Sequence, residues 1–174
     1  FSIRNIKLMK ATTIILDHNQ IHQKIKRIAY QIYEANSFED EIIIAGIQGN
    51  GVYFAQQLAK SLQQISSLKV ILCEVFIDKK KPLGPISTNI DNKEYINKPI
   101  VLVDDVLNSG TTLMYGVKYF LEVPLKRFKT AVLVNRNHKK YPIKADFKGI
   151  SLSTSIKEHV EVVFDGKRSK AFLM

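Results

Sequence analysis

Two hydrophobic spacings alternate along the chain. Ile21, Ile25, Ile28 and Ile32 recur at intervals of three or four, which places them on one helical face, and Asp17 with Gln20 three residues later can form a capping box. The pattern predicts a helix over residues 19–35. The run EIIIAGI at 41–47 is short, continuous and rich in β-branched residues, as a strand buried on both faces must be. Val52, Ala55, Leu58, Ala59 and Leu62 then return to helical spacing. Residues 69–77 read as a second strand, 100–104 as a third leading into a helix over 111–121, and 129–135 as a fourth after the break at Pro124. Strands alternating with helices predict an α/β fold with a parallel sheet flanked by helices, and the terminal segments are left to form a small hood.

Residues 78–98 (DKKKPLGPISTNIDNKEYINK) are rich in lysine and turn formers and carry little periodicity, which predicts a long functional loop. No internal repeat or second domain boundary interrupts the pattern. The reading is one domain over 9–174, with residues 1–8 ahead of Met9 as a leader outside the fold or a start-site artefact.

Composition changes this picture in three ways. A chain of 174 residues with 45% hydrophobic content can bury a real core. Its net charge of +10 biases the surface toward polyanions, a merely solvated basic surface being the plainer alternative. Cys73 is the single cysteine, inside the apolar run VILCEVFI, so an intrachain disulfide is excluded and a core position is expected. No apolar stretch approaches the roughly 20 residues of a membrane span, and no signal-like segment opens the chain. The expected location is cytoplasmic.

The chemistry concentrates in VLVDDVLNSGTTL at 101–113. Ligands of open α/β sheets bind beyond the carboxyl ends of the strands, which is where Asp104 and Asp105 fall. In Asn108-Ser109-Gly110-Thr111-Thr112 the glycine permits a tight turn, the following helix N-terminus offers N–H donors, and three hydroxyls add to them. That cradle suits a phosphate monoester, and the neighbouring carboxylates suit sugar hydroxyls. The pattern is a sugar-phosphate pocket. Walker and dinucleotide-binding readings fail, because Gly46-Ile-Gln-Gly-Asn-Gly51 lacks the Lys-Ser/Thr ending and has Phe54 where a third glycine belongs.

VLVDDVLNSGTTL resembles the phosphoribosyl-pyrophosphate (PRPP) signature of type I phosphoribosyltransferases. Residues 46–52 resemble that family's pyrophosphate loop, and VNRNHKKYPIKADFKGISLSTSIKEHVEV at 134–162 resembles the bacterial pyrimidine operon attenuator/uracil phosphoribosyltransferase branch. The resemblance implies that Asp104 and Asp105 contact the ribose hydroxyls as the catalytic acids, and that Asn108, Ser109, Gly110, Thr111 and Thr112 grip the 5-phosphate. By the same resemblance Gln48, Gly49, Asn50 and Gly51 hold the pyrophosphate through backbone N–H groups. The 78–98 loop becomes a mobile flap carrying Lys79, Lys80 and Lys81, for which a solvated lysine run is the alternative. Asp146 to Gly149 matches the base-pocket segment, with Phe147 as the ring on the base beside Lys148, or else an ordinary core aromatic; Arg136 and His138, just beyond a strand, are further base-pocket candidates. Mg²⁺ carried by PRPP, with Asp104 and Asp105 as ligands, is the implied cofactor.

Two departures matter. The attenuator branch carries arginines where this chain has Gln48 and Asn50, so two positive charges near the leaving group are missing. Asn108 replaces the carboxylate of the hypoxanthine-guanine branch, which leans toward a pyrimidine. The expected reaction is transfer of phosphoribose from PRPP to a free nucleobase, uracil favoured, by a homodimer or larger assembly. A nucleotide-sensing RNA-binding regulator and a catalytically weak PRPP-binding protein are the alternatives. His18 and His22 read as a surface pair without a third metal ligand, and His159 and Glu161 as packing and solubility residues.

Overall fold

The computed structural model describes residues 12–155 and 157–174; the expectation for residues 1–8 lies outside them. Strand β1 (Thr13–Leu16) leads into helix α1 (His18–Ala35), which begins where the sequence places it. The Asp17 carboxylate accepts the Gln20 N–H at 2.8 Å and the Gln20 side chain accepts the Asp17 N–H at 2.9 Å, so two of the helix's orphan donors are satisfied reciprocally. Ile21, Ile25, Ile28 and Ile32 are all buried. At about 1.5–3 kcal/mol for each fully buried side chain, this stripe fixes which way the helix faces.

Strand β2 (Glu41–Ile47), helix α2 (Asn50–Ile65), strand β3 (Lys69–Phe76), strand β4 (Ser87–Thr88), helix α3 (Asn92–Tyr95), strand β5 (Pro99–Leu107), helix α4 (Thr111–Phe120), and strands β6 (Arg127–Arg136) and β7 (Phe147–Leu152) follow. They build a six-stranded sheet in the order β4-β3-β2-β5-β6-β7. Only β4 is antiparallel to its neighbour. In register, Ala45 of β2 lies between Cys73 and Leu102, and Val103 of β5 lies opposite Ala131. The continuous apolar run of β2 is explained by its two covered faces. Ile42 and Ile44 join the core under α1 and α2, whereas Ile43, Ala45 and Ile47 join the core on the α4 side with Leu113 and Phe120. Gly46 lets α2 approach this strand, since a Cβ there would stand 2.6 Å from the Gly51 carbonyl oxygen and 2.7 Å from Val52 Cα.

Three elements depart from the sequence reading. The 78–98 segment is not featureless, because it holds β4 and α3, and Tyr95 of α3 packs edge-on to Phe120 with ring centroids 5.2 Å apart. β5 runs on to Leu107, three residues past the expected end at Asp104, so Asp105 as well as Asp104 sits within the strand at its carboxyl end. β7, absent from the sequence reading, extends the sheet beyond β6. The terminal segments do build a hood: β8 (Val160–Val163) and β9 (Lys170–Leu173) pair antiparallel with each other and β9 with β1, giving the order β1-β9-β8. Leu16, Val160, Val162 and Ala171 tie this small sheet to the core under α1 and α2.

Candidate functional site

A cleft of about 350 Å³ opens at the carboxyl edge of the sheet, lined by residues 104–113, Asn50, Lys79 and residues 159–162. Its floor is the acid pair. Asp104 is 3% exposed, and Lys79 Nζ reaches its two oxygens at 3.2 and 3.3 Å. Burial is the larger influence on Asp104, with the neighbouring Asp105 next, and together they push its pKa up to about 7 against the opposing pull of Lys79. Asp105 is oriented by two donors: its own strand's Val106 N–H to Oδ1 at 2.9 Å, and Asn50 Nδ2 to Oδ2 at 2.9 Å.

One wall is the turn from β5 into α4. Gly110 has φ 84°, a left-handed conformation that favours glycine, and a Cβ there would collide with Ile143 Cγ2. The Ser109 hydroxyl bonds the Thr111 hydroxyl at 2.8 Å and accepts the Thr111 N–H at 3.3 Å. The Ser109 carbonyl is anchored by the N–H groups of Lys140 at 2.7 Å and Tyr141 at 3.2 Å. No acidic residue lies in the first turn of α4, so its dipole and unpaired N–H groups face the cleft without a competing carboxylate on the helix. This wall suits a phosphate.

The other expected residues divide. Of the 48–51 loop, Asn50 alone lines the cleft; Gln48 and Gly49 are exposed and Gly51 is buried. The Gln48 N–H is committed to the Val75 carbonyl at 2.9 Å, so it is not a donor for a ligand. Of the three flap lysines only Lys79 enters the cleft, and Lys80 and Lys81 are exposed.

The base-pocket candidates are redistributed most. Phe147 is the first residue of β7, in register with Ala131, and packs against the core under α1 and α2; it does not line the cleft. Lys148 is exposed beside it, with its carbonyl held by Arg27 Nη2 at 2.9 Å. The physical reason is strand direction: β7 runs parallel to β6, so its start lies away from the edge where the cleft opens. Arg136, 6% exposed, is committed to protein partners. It donates to Asn108 Oδ1 at 2.9 Å, Thr154 Oγ1 at 2.8 Å and the Glu158 carbonyl at 2.7 Å, stapling the hood approach to the turn from β5 into α4. His138 Nε2 contacts the carbonyl and hydroxyl of Thr154 in the same staple. Beside them Asn135, 5% exposed, leaves its Oδ1 without a partner among the described residues.

Residues assigned to packing by the sequence complete the cleft. His159 and Glu161 line it with Val160 and Val162, because the hood strand β8 lies across the acid pair. The period-2 alternation of VEVV was the available signal for a strand, and it carries no information about which partner the strand covers. Cys73 takes the core position that the sequence expects. Cys73 is buried, and burial, followed by Glu74 and Glu94, pushes its thiol up to about 12. Among the described residues no cluster of three His, Cys, Asp or Glu side chains could hold a metal alone. Asp104 and Asp105 do fit a cation that arrives with phosphate oxygens, since Mg²⁺ commonly takes one or two carboxylates and completes its shell from substrate and water.

The comparisons agree with this architecture. The sequence profile of the phosphoribosyl transferase domain matches residues 11–165. The "Bifunctional protein PyrR" of Limosilactobacillus fermentum is 35% identical over 161 residues, covering 87% of this chain and 90% of that protein. Its counterpart in Streptococcus thermophilus is 36% identical over 163 residues, covering 89% and 93%. Among solved structures, the hypoxanthine phosphoribosyltransferase of Trypanosoma cruzi superposes with a TM-score of 0.73 at 14% identity, covering 91% of this chain and 95% of that one, a likeness of fold. A hypoxanthine-guanine phosphoribosyltransferase of Bacillus anthracis gives a TM-score of 0.66 at 19% identity, covering 80% and 82%. With the profile spanning most of its length and relatives above 30% identity covering nearly nine tenths of it, the chain belongs to the phosphoribosyl transferase domain family.

Proposed function

We propose that this phosphoribosyltransferase moves the phosphoribosyl group of PRPP to a free pyrimidine base, uracil first, and releases pyrophosphate. The observation that carries the reading is the juxtaposition, in one cleft, of an acid pair, Asp104 buried and Asp105 half-buried, with a hydroxyl-rich helix N-terminus. In this reading the 109–112 turn takes the 5-phosphate, and Asp104 and Asp105 take the ribose hydroxyls. Magnesium held by the acid pair and PRPP would neutralise charge on the departing pyrophosphate. Asn50, at the start of α2, offers a backbone donor to that group, and Lys79, with a flexible stem and an exposed half, offers a cation. The protein's main task is then to hold ribose and base in line while water is kept out by the hood.

Arg136 and His138 act on the base indirectly in this scheme, by fixing the hood approach. Asn108 gives its side-chain oxygen to Arg136 and supplies no carboxylate for a purine proton, which favours a pyrimidine. The chain is taken as a single domain over 9–174, cytoplasmic, and a homodimer or larger. A second activity, RNA binding by the basic surface, is favoured by the net charge of +10; such binding should weaken steeply with salt through counterion release.

The test is pyrophosphate release from PRPP and Mg²⁺ with uracil, hypoxanthine, guanine, adenine and orotate supplied separately. Asp104→Asn with Asp105→Asn is the control, expected to abolish PRPP binding while the fold persists. Release with uracil in the wild type alone supports the reading. Unchanged calorimetric PRPP affinity in the double variant refutes the site.

A further inference from the structure

Asn50 opens α2, and its side chain crosses the carboxyl edge of the sheet. Nδ2 donates one hydrogen to Asp105 Oδ2 at 2.9 Å and the other to the backbone carbonyl of Val162 at 2.8 Å. A primary amide has two hydrogens, so the donor is fully used. Both partners are acceptors only, which decides the orientation of the amide: the reversed flip would set its oxygen against a carboxylate and a carbonyl. Three elements therefore meet on one nitrogen, namely α2, the acid-bearing β5, and β8 of the hood. The two sheets share no strand, so this side chain is a direct polar link between them.

We infer that Asn50 is a positioning residue that aims Asp105 and latches the hood over it. The inference rests on the PRPP reading and adds to it a device for coupling hood position to the ribose-binding carboxylate. The start of α2 is held firmly enough for the task. Gly51 is buried, and a Cβ there would stand 2.9 Å from the Val103 carbonyl oxygen, so Asn50 is attached to backbone pressed against β5. The Asp105 carboxylate has four lone-pair sites, and Val106 N–H and Asn50 occupy one on each oxygen. Sites remain on both oxygens for a ligand. Asp104 is held instead by Lys79 of the 78–98 segment, so each acid answers to a different part of the molecule.

The test compares full-length wild type, Asn50→Ala and Asn50→Asp. Steady-state kinetics with PRPP and uracil are read together with hydrogen exchange at the backbone amides of Val160–Val163. Loss of a hydrogen bond to a charged group predicts a fall of about 10-fold or more in kcat/KM for PRPP in Asn50→Ala, with the KM for uracil within about twofold. Asn50→Asp keeps the shape, removes both donors and adds a carboxylate facing Asp105, so it should be worse than alanine, the reverse of what a space-filling role predicts. β8 exchange should quicken in both. Should Asn50→Asp not fold, Asn50→Leu, similar in size and without donors, takes its place and should match alanine. An aspartate variant as active as wild type, or unchanged β8 exchange in Asn50→Ala, overturns the inference. A wild type that binds no PRPP overturns the functional reading instead, and the exchange rates alone then decide whether the latch exists.

Discussion

Replacing Asp104 by asparagine should make the fold more stable above neutral pH, because the acid pair is held at a cost. Burial and the adjacent Asp105 raise the Asp104 carboxyl from its ordinary value of 3.8 to about 7. Between those two values the folded chain holds a proton that the unfolded chain has released. Folding stability therefore falls as pH rises through this window, the opposite of the usual salt-bridged carboxylate. Each pH unit is worth about 1.4 kcal/mol, so the full penalty is on the order of 4 kcal/mol once pH exceeds the folded value. Asparagine keeps the shape and can still accept the Asp105 N–H that Asp104 Oδ1 now receives at 2.9 Å. It loses the pairing with Lys79, but that side chain is 46% exposed and returns to water at little cost. Urea denaturation of wild type and Asp104→Asn from pH 4 to pH 9 measures the difference directly. The two curves should nearly coincide at pH 4, separate as pH rises and run parallel above about 7, with the variant more stable by about 2–4 kcal/mol. A variant equal to or less stable than wild type at pH 8.5 would refute the argument that burial dominates this site.

Three further outcomes follow from particular contacts. Gly46→Ala should destabilise by about 1–3 kcal/mol, read from the denaturation midpoint, because its methyl meets backbone atoms of α2 that cannot rotate away. Arg136→Met should cost about 3 kcal/mol and speed hydrogen exchange at Thr154, Ser155 and Glu158, since Asn108 Oδ1 and the Glu158 carbonyl lose their donor; unchanged exchange there would count against the staple. Phe147→Leu should leave the KM values for PRPP and uracil within about twofold while costing about 1 kcal/mol of stability, and a selective rise in the KM for uracil would return that ring to the base pocket.

Much of the architecture follows from periodicity alone. A helix that must bury one stripe and a strand that must bury two faces leave different patterns, so α1, α2, α4 and the strands β2, β3, β5 and β6 are legible to within a few residues. That the acid pair and the hydroxyl-rich turn lie side by side is equally legible, because both fall within one strand-to-helix connection. The hood is not. Its strands are four residues each, and β1 and β9 pair across nearly the whole length of the chain, so no local pattern names the pairing. For that reason His159 and Glu161 read as packing and solubility residues until β8 lies over the cleft, and Phe147 reads either as a base-stacking ring or as a core aromatic until the direction of β7 places it against the core. Side-chain identity determined which groups can bind phosphate and sugar. Tertiary packing decided which of them meet, because residues far apart in the chain are brought within hydrogen-bonding distance only when the sheet edge and the hood are assembled around the same cleft.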